Sequence, residues 1–301
     1  MTTDRRTKNG WVETYRGTVH RWEVDPVDHF TVAYYFDRFA DASRAMMDAL
    51  GLGYAYTRRE DRAALPAACY VRYQHELRVG DVMHVLTGVI RTGADSLVIG
   101  HKMFDSATGT LCATVEQRLV HLDRDRRTLV PLTDAQRRAA EAHRIDWDGP
   151  PRERRPQPKG LEGFRDAVRD TVKPHEIDVY GYSAMSHYVH RFSAANAQNI
   201  AAFGFTPGYI RDERRGFSTF EFQLKFLRGL RAGDAVRVAS ALLHVGNSSL
   251  RVFSKMFEDS TGELVATLDQ LGVHLDMAAR RPTPLPDALR DRAKALLAPT
   301  I

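Results

Sequence analysis

Asp25 is the residue whose neighbours best suit it to chemistry. It ends a strand-like segment and opens the polar turn Asp25-Pro26-Val27-Asp28-His29-Phe30-Thr31, which leads into a periodic stretch from Val32. A carboxylate just ahead of a helix lies in the positive end of the helix field, among backbone N–H groups with no partner in the helix. That setting favours the ionised form, which a general base or nucleophile requires. The N–H groups of Val32 and Ala33 could meanwhile hold a carbonyl oxygen and the negative charge it gains on attack. Carboxylate and donors would then converge on one carbonyl carbon, as transfer of an acyl group to water requires. The competing reading is an aspartate that only caps the helix. His29 either orients Asp25 or a water, exchanging protons near neutral pH, or is a loop histidine without a role.

The same arrangement occurs twice. Asp25 recurs as Asp178, 153 residues on, and the offset holds without a gap for Tyr35 and Tyr188, Arg38-Phe39 and Arg191-Phe192, and Gly80-Asp81 and Gly233-Asp234. It continues through Lys102-Met103-Phe104, Gln117, His121 and Pro131-Leu132, which return as Lys255-Met256-Phe257, Gln270, His274 and Pro284-Leu285. Solenoid repeats run ~20–50 residues, so this period marks duplication of a whole folding unit. A chain of 301 residues holds two such domains, assigned to 1–146 and 167–301 with a linker at 147–166. Gly149 to Gly160 combines proline, glycine and charge, a composition that predicts an exposed, semi-rigid connection. Its basic residues have no interleaved aromatics, so no nucleic-acid partner is expected.

Each copy reads as one strand (14–24; 167–177), the turn, one helix, and then strands. The helix, about Val32 to Leu50, repeats apolar residues at three- and four-residue steps: Tyr35, Phe36, Phe39, Ala42, Ala45, Met46, Ala49 and Leu50. Gly51 and Gly204 are stop residues. A charged loop (58–62; 211–215) precedes four strand-like segments at 69–77, 82–91, 96–105 and 111–122, divided by short turns as in an antiparallel meander. A short helix closes each copy, Asp134 to His143 and Asp287 to Leu297. One sheet around one helix leaves an edge open. Two copies are therefore expected to pack as a pseudo-dimer, with a two-fold relation between them.

Gln117 and Gln270 are polar residues within a strand, on the same parity as Val115, Leu119 and His121. Such a group needs a partner, either a structural hydrogen bond or a bound ligand. Thr31 and Tyr35 are further candidates for substrate contact, against the plainer readings of N-cap and core. His101, His187 and His190 have no histidine at the paired position and read as incidental. His121 and His274 read as structural. Two unpaired cysteines, Cys69 and Cys112, predict neither disulfide nor zinc site, and point to a reducing cytoplasm. No apolar run reaches the ~20 residues of a membrane helix, and the polar start from Thr2 to Asn9 is not expected to be a signal peptide. The net charge of +5 suits an anionic small molecule or an ordinary basic surface.

The order of elements resembles the hotdog fold, and the turn resembles that of the 4-hydroxybenzoyl-CoA thioesterase family. Asp25, Pro26, His29 and Tyr35 match that family's Asp, Pro, His and following Tyr, and Glu76-Leu-Arg-Val-Gly-Asp81 matches its segment before the third strand. Asp178, Gly181 and Tyr188 match in the second copy. The asparagines common after the histidine are Thr31-Val32 and Ala184-Met185 here. The resemblance implies an α+β chain of two tandem hotdog domains, each an antiparallel sheet wrapped around a central helix, hydrolysing an acyl-CoA thioester. Asp25 would be base or nucleophile with Val32 and Ala33 as oxyanion donors, the acyl group would contact both halves, and Arg58 and Arg59 could meet CoA phosphates. CoA would enter only as part of the substrate; no metal or other cofactor is implied. The expected partner is the small-molecule substrate alone, with no membrane, and the chain would be a monomeric pseudo-dimer or a higher homo-oligomer. Asp178 would mark a second, weaker site, because Tyr182 replaces His29 there. An (R)-specific enoyl-CoA hydratase ranks lower, since its Asp-x-Asn-Pro-x-His-x-Asp motif is missing. A non-catalytic acyl-ligand binder is the third reading.

Overall fold

The structure, a computed structural model, describes residues 8–299, so most of the polar start lies outside the described residues. The chain divides into two units, Met1–Pro151 and Arg152–Ile301. In the first, β1 (Val12–Thr18) leads through a 3-10 turn (Arg21–Glu23) to α1 (Val32–Ala49). Then come α2 (Tyr54–Glu60), β2 (Arg62–Tyr73), β3 (Val82–Thr92), β4 (Ser96–Asp105), β5 (Leu111–Asp123), β6 (Thr128–Leu129) and α3 (Asp134–Ala142). The strands are antiparallel in the order β1-β3-β4-β5-β2, with β6 on β5. The second unit repeats this as β7 (Arg165–Thr171), a 3-10 turn (Pro174–Glu176), α4 (Met185–Ala202), α5 (Pro207–Glu213) and β8 (Arg215–Phe226). It continues with β9 (Ala235–Val245), β10 (Ser249–Glu258), β11 (Glu263–Asp276), β12 (Arg281–Pro282) and α6 (Asp287–Lys294), in the order β7-β9-β10-β11-β8. Each unit is a hotdog domain, and the class is α+β.

α1 buries Ala33, Tyr35, Phe36, Phe39, Ala42, Ser43, Met46 and Met47. The buried stripe therefore takes in Ser43 and Met47, whereas Ala49 faces solvent. Gly51, at φ 70, turns the chain out of the helix, as only a residue without Cβ does cheaply. The segment expected as a charged loop is helical in both units, as α2 and α5. Each short helix is tied to the sheet by a tyrosine, Tyr56 to His121 Nε2 at 2.9 Å and Tyr209 to His274 Nε2 at 3.0 Å. The histidines' other nitrogens donate to backbone carbonyls, Val130 at 2.8 Å and Thr283 at 3.0 Å, so both rings are structural. β2 starts earlier than expected and takes Pro66, which lacks an N–H, at a shift in register between Pro66 and Ala68. β1 is shorter than expected, because the chain turns at Arg21–Glu23 before reaching the aspartate.

The linker is exposed along most of 151–160, as expected, yet it is pinned at several points. Arg155 forms an ion pair with Glu221 and lies 3.6 Å from Asp269, whose side chains are 2 % and 0 % exposed. Arg251 grips Asp269 through two bonds of 2.9 Å and donates to the Pro156 carbonyl. Arg152 donates to Gln223, which donates to the Glu153 carbonyl, and Lys255 donates to the carbonyls of Lys159 and Gly160. On the first unit, Trp147 packs over Gly100, and Tyr70 donates to the Pro151 carbonyl. The composition of the segment hides this because its partners are charged residues far away in sequence.

Under the middle of α1 lies a closed polar network. Ser43 donates to Gln117 Oε1 at 2.6 Å, and His101 Nε2 lies 3.1 Å from the same oxygen. His101 Nδ1 meets Thr87 at 2.8 Å, and Thr87 meets Thr14 at 2.7 Å. With Nε2 donating and Nδ1 accepting, the neutral imidazole is fully satisfied. His101 is thus a buried structural residue and not an incidental one. In the second unit Asn199, Ser240 and Ser254 form a smaller chain, and Gln270 turns to Thr219 at 2.8 Å.

Two expectations follow for stability. Removing the cation in Arg155→Ala leaves buried carboxylates short of a partner, so denaturant unfolding should show a loss of ~3 kcal/mol, and trypsin should cut at Arg154 or Lys159 where the wild type resists. Burial pushes His101 down from its ordinary 6.5 to about 4. The unfolded chain therefore binds the extra proton between those values, and stability should be full above pH 6.5 and fall as pH drops toward 4, by up to ~3 kcal/mol. His101→Gln should flatten that limb of the pH–stability curve.

Candidate functional site

The aspartate turn has the same construction in both units. In the first, the Asp25 N–H donates to the His29 carbonyl at 2.9 Å, and the Asp28 N–H donates to the Asp25 carbonyl at 3.0 Å. The side chain closes the loop, since Asp25 Oδ1 accepts the N–H groups of Val27 and His29, both at 3.0 Å. In the second, Asp178 Oδ1 accepts Tyr180 N–H at 2.8 Å and Tyr182 N–H at 3.3 Å. The loop needs one left-handed residue, which is Asp28 (φ 63) in one copy and Gly181 (φ 83) in the other. The carboxylate is thus part of the turn's backbone framework.

Two anchors set this turn against α1. The Phe30 N–H donates to the Leu77 carbonyl at 2.7 Å, and the Thr31 N–H to the Glu23 carbonyl at 2.8 Å. Glu23 is itself buried, pairs with Arg38 from α1, and accepts the His20 N–H at 2.9 Å. The second unit has the same frame in Glu176, paired with Arg191 at 2.7 Å. Neither acid was singled out from the sequence. The available signal was that Glu23 and Arg38 both return at the common offset, as Glu176 and Arg191.

Thr31 occupies the N-cap, but its side chain makes no capping bond. Val32 and Ala33 are the first helical residues, whose N–H groups have no acceptor within α1. Asp25, His29, Thr31, Val32 and Ala33 therefore share the N-terminal end of α1. The His29 ring turns to Glu76, with Nε2 2.9 Å from Oε2. Tyr35 also lies near this end, but it is only 3 % exposed, wedged between Phe30 at 4.6 Å and Tyr73 at 5.1 Å. Burial pushes its hydroxyl up, so it stays protonated, and its counterpart Tyr188 accepts the Leu230 N–H at 2.9 Å. Gln117 lies elsewhere, beside Ser43, roughly 17 Å along the helix from Val32 at 1.5 Å per residue. Arg58 and Arg59 are exposed on α2, which follows the opposite end of α1. Asp178 holds its own turn ahead of α4, and Gln270 is spent on Thr219. Among the described residues, no group of three or more His, Cys, Asp or Glu is arranged to hold a metal ion, and no helix is long and apolar enough to cross a membrane.

Comparison with known proteins agrees with this fold. A putative oleoyl thioesterase of Lactobacillus plantarum superposes with a TM-score of 0.71 at 13% identity, over 93% of this chain and 98% of that one. The 12:0-ACP thioesterase of Umbellularia californica gives 0.68 at 14% identity, over 91% and 95%. At such identities the likeness speaks for the fold. A curated L-carnitine dehydrogenase/betainyl-CoA thioesterase of Rhizobium sp is 24% identical over 120 residues, 40% of this chain. The match spans only 24% of that protein's length. The model of the thioesterase-like superfamily matches twice, at residues 19–140 and 172–293. Two matched copies, one in each unit, place the chain in the thioesterase-like superfamily.

Proposed function

We propose that the chain hydrolyses an acyl-CoA thioester to the free acid and CoA, in the manner of the 4-hydroxybenzoyl-CoA thioesterase type, at the turn ahead of α1. The observation that carries this reading is the aspartate turn, rebuilt in both copies with the same hydrogen bonds although most residues between Asp25 and Tyr35 differ from those between Asp178 and Tyr188. Asp25 takes a proton from water as the water oxygen adds to the carbonyl carbon. The N–H groups of Val32 and Ala33 hold the oxygen that becomes negative. The C–S bond then breaks, and the sulfur leaves and takes a proton to become the thiol. The acid carries away the water oxygen. Thr31 borders this region, while Gln117 is bonded to Ser43 and His101 and Gln270 to Thr219. The buried free thiols of Cys69 and Cys112 suit a reducing compartment, and a cytoplasmic location is part of the proposal.

The two sites are unequal in this reading, because the ionisable His29 of the first is Tyr182 in the second. Asp25→Asn tests it: a carboxamide oxygen can still accept the Val27 and His29 N–H groups, so the turn survives while the base is lost. Free-thiol release from a panel of aromatic, medium-chain and long-chain acyl-CoA and acyl-ACP thioesters should fall ~100-fold or more, with an unchanged thermal midpoint. Asp178→Asn should cost much less. Full turnover in Asp25→Asn would remove the carboxylate from the mechanism, and equal losses in both variants would make the sites equivalent.

A further inference from the structure

We propose that Glu76 is the positioning residue for His29, and that the two side chains act as one unit beside Asp25. This rests on the reading of the Asp25 turn as the reaction site. His29 Nε2 lies 2.9 Å from Glu76 Oε2, with the side chains 12 % and 29 % exposed. That is a partly desolvated contact, unlike two other pairs of the same turn. Arg21 with Asp28 and Arg78 with Asp28 both sit at the surface, where an ion pair contributes little.

The backbone on both sides of the contact is fixed. The N–H groups of Gln74 and His75 donate to the Cys112 carbonyl at 2.8 and 3.1 Å, and Leu77 accepts the Phe30 N–H. On the other side, His29 gives its N–H to Asp25 Oδ1 and its carbonyl to the Asp25 N–H. The histidine's main chain thus holds the aspartate, while its ring is held by Glu76. The contact is one of charge and proximity, since the ring N–H is not aligned with the oxygen.

The duplication supplies an internal control. In the second unit the same backbone frame stands: Leu227 and Arg228 N–H groups donate to the Val265 carbonyl, and Ser183 N–H donates to Leu230. Yet both members of the pair are gone together, His29 becoming Tyr182 and Glu76 becoming Gly229. The two changes depend on each other, because a Cβ on Gly229 would stand 2.4 Å from the Tyr182 ring. The frame folds without the pair, so folding alone does not account for His29 and Glu76 in the first unit. A carboxylate fixed against Nε2 sets the ring's orientation beside the reacting carbonyl.

The charged groups on the elements packed around His29 include Asp25 and Asp28 on its own turn, Glu76 and Arg78 on the segment before β3, Arg21 and Glu23 on the preceding 3-10 turn, and Arg38 on α1. The test is Glu76→Gln, with Glu76→Asp as the conservative variant. Thiol release should show kcat lowered ~10-fold with KM and thermal midpoint unchanged, and partial recovery in Glu76→Asp. In a His29→Gln background, Glu76→Gln should cost nothing more. Independently of activity, the ring resonances assigned to His29 by NMR should shift in Glu76→Gln, because the carboxylate 2.9 Å from Nε2 is replaced by an uncharged amide. An unmoved resonance overturns the pairing, and so does a Glu76→Gln loss that persists without His29. If the wild type released no thiol from any thioester, the functional reading would fail, while the NMR comparison would still decide whether Glu76 governs the ring.

Discussion

A buried ion pair between the turn and the long helix underlies the candidate site in each unit. Glu23 with Arg38, and Glu176 with Arg191, join the 3-10 turn to the helix one turn or more past its start. Two desolvated charges are costly unless further hydrogen bonds support them, and each pair has some. Glu23 also takes the His20 N–H, and Arg191 also reaches Asp170 at 2.9 Å. With both ends of the turn fixed in this way, the aspartate loop is tied to the helix, and the first N–H groups of the helix take no capping bond from Thr31. A helix that used its N-cap side chain would have fewer donors to offer a ligand.

The framework of the site was legible because it is written in local and periodic signals. The three- and four-residue spacing from Tyr35 to Met46 marks a helix, Gly51 stops it, and Asp25 stands at its head. What escaped was long-range and polar. Charged residues at 58–62 read as loop, but Tyr56 reaches His121 and makes that stretch a helix. His101 read as incidental for want of a histidine partner in the other copy, whereas its meaning lies in Ser43, Thr87 and Gln117 across the core. Glu76 escaped for the same reason. A contact between residues 29 and 76 leaves no periodic trace in one sequence, although its joint absence from the second copy was there to be read.

The duplication separates two kinds of residue that a single domain would mix. Residues held in both units, such as the aspartate, the Glu–Arg pair and the helix tyrosine, build the frame. Residues that change between units sit within that frame and can be altered without dismantling it: His29, Phe30 and Glu76 against Tyr182, Ser183 and Gly229. Phe30 becoming Ser183 exchanges a ring packed on Tyr35 for a buried hydroxyl, so the two helix heads present different surroundings to the same turn.

The pinned linker bears on how the chain may be taken apart. Composition suggests trimming the proline-rich run and starting a second-half protein at its first strand, Arg165. Such a fragment would keep Glu221 and Asp269 in the sheet but discard Arg155, and it would strip Gln223 and Lys255 of the carbonyls they bond. The compact second unit thus begins upstream of its first secondary structure, at Arg152. A segment that composition marks as a spacer is, for this half, the covering layer of its own sheet.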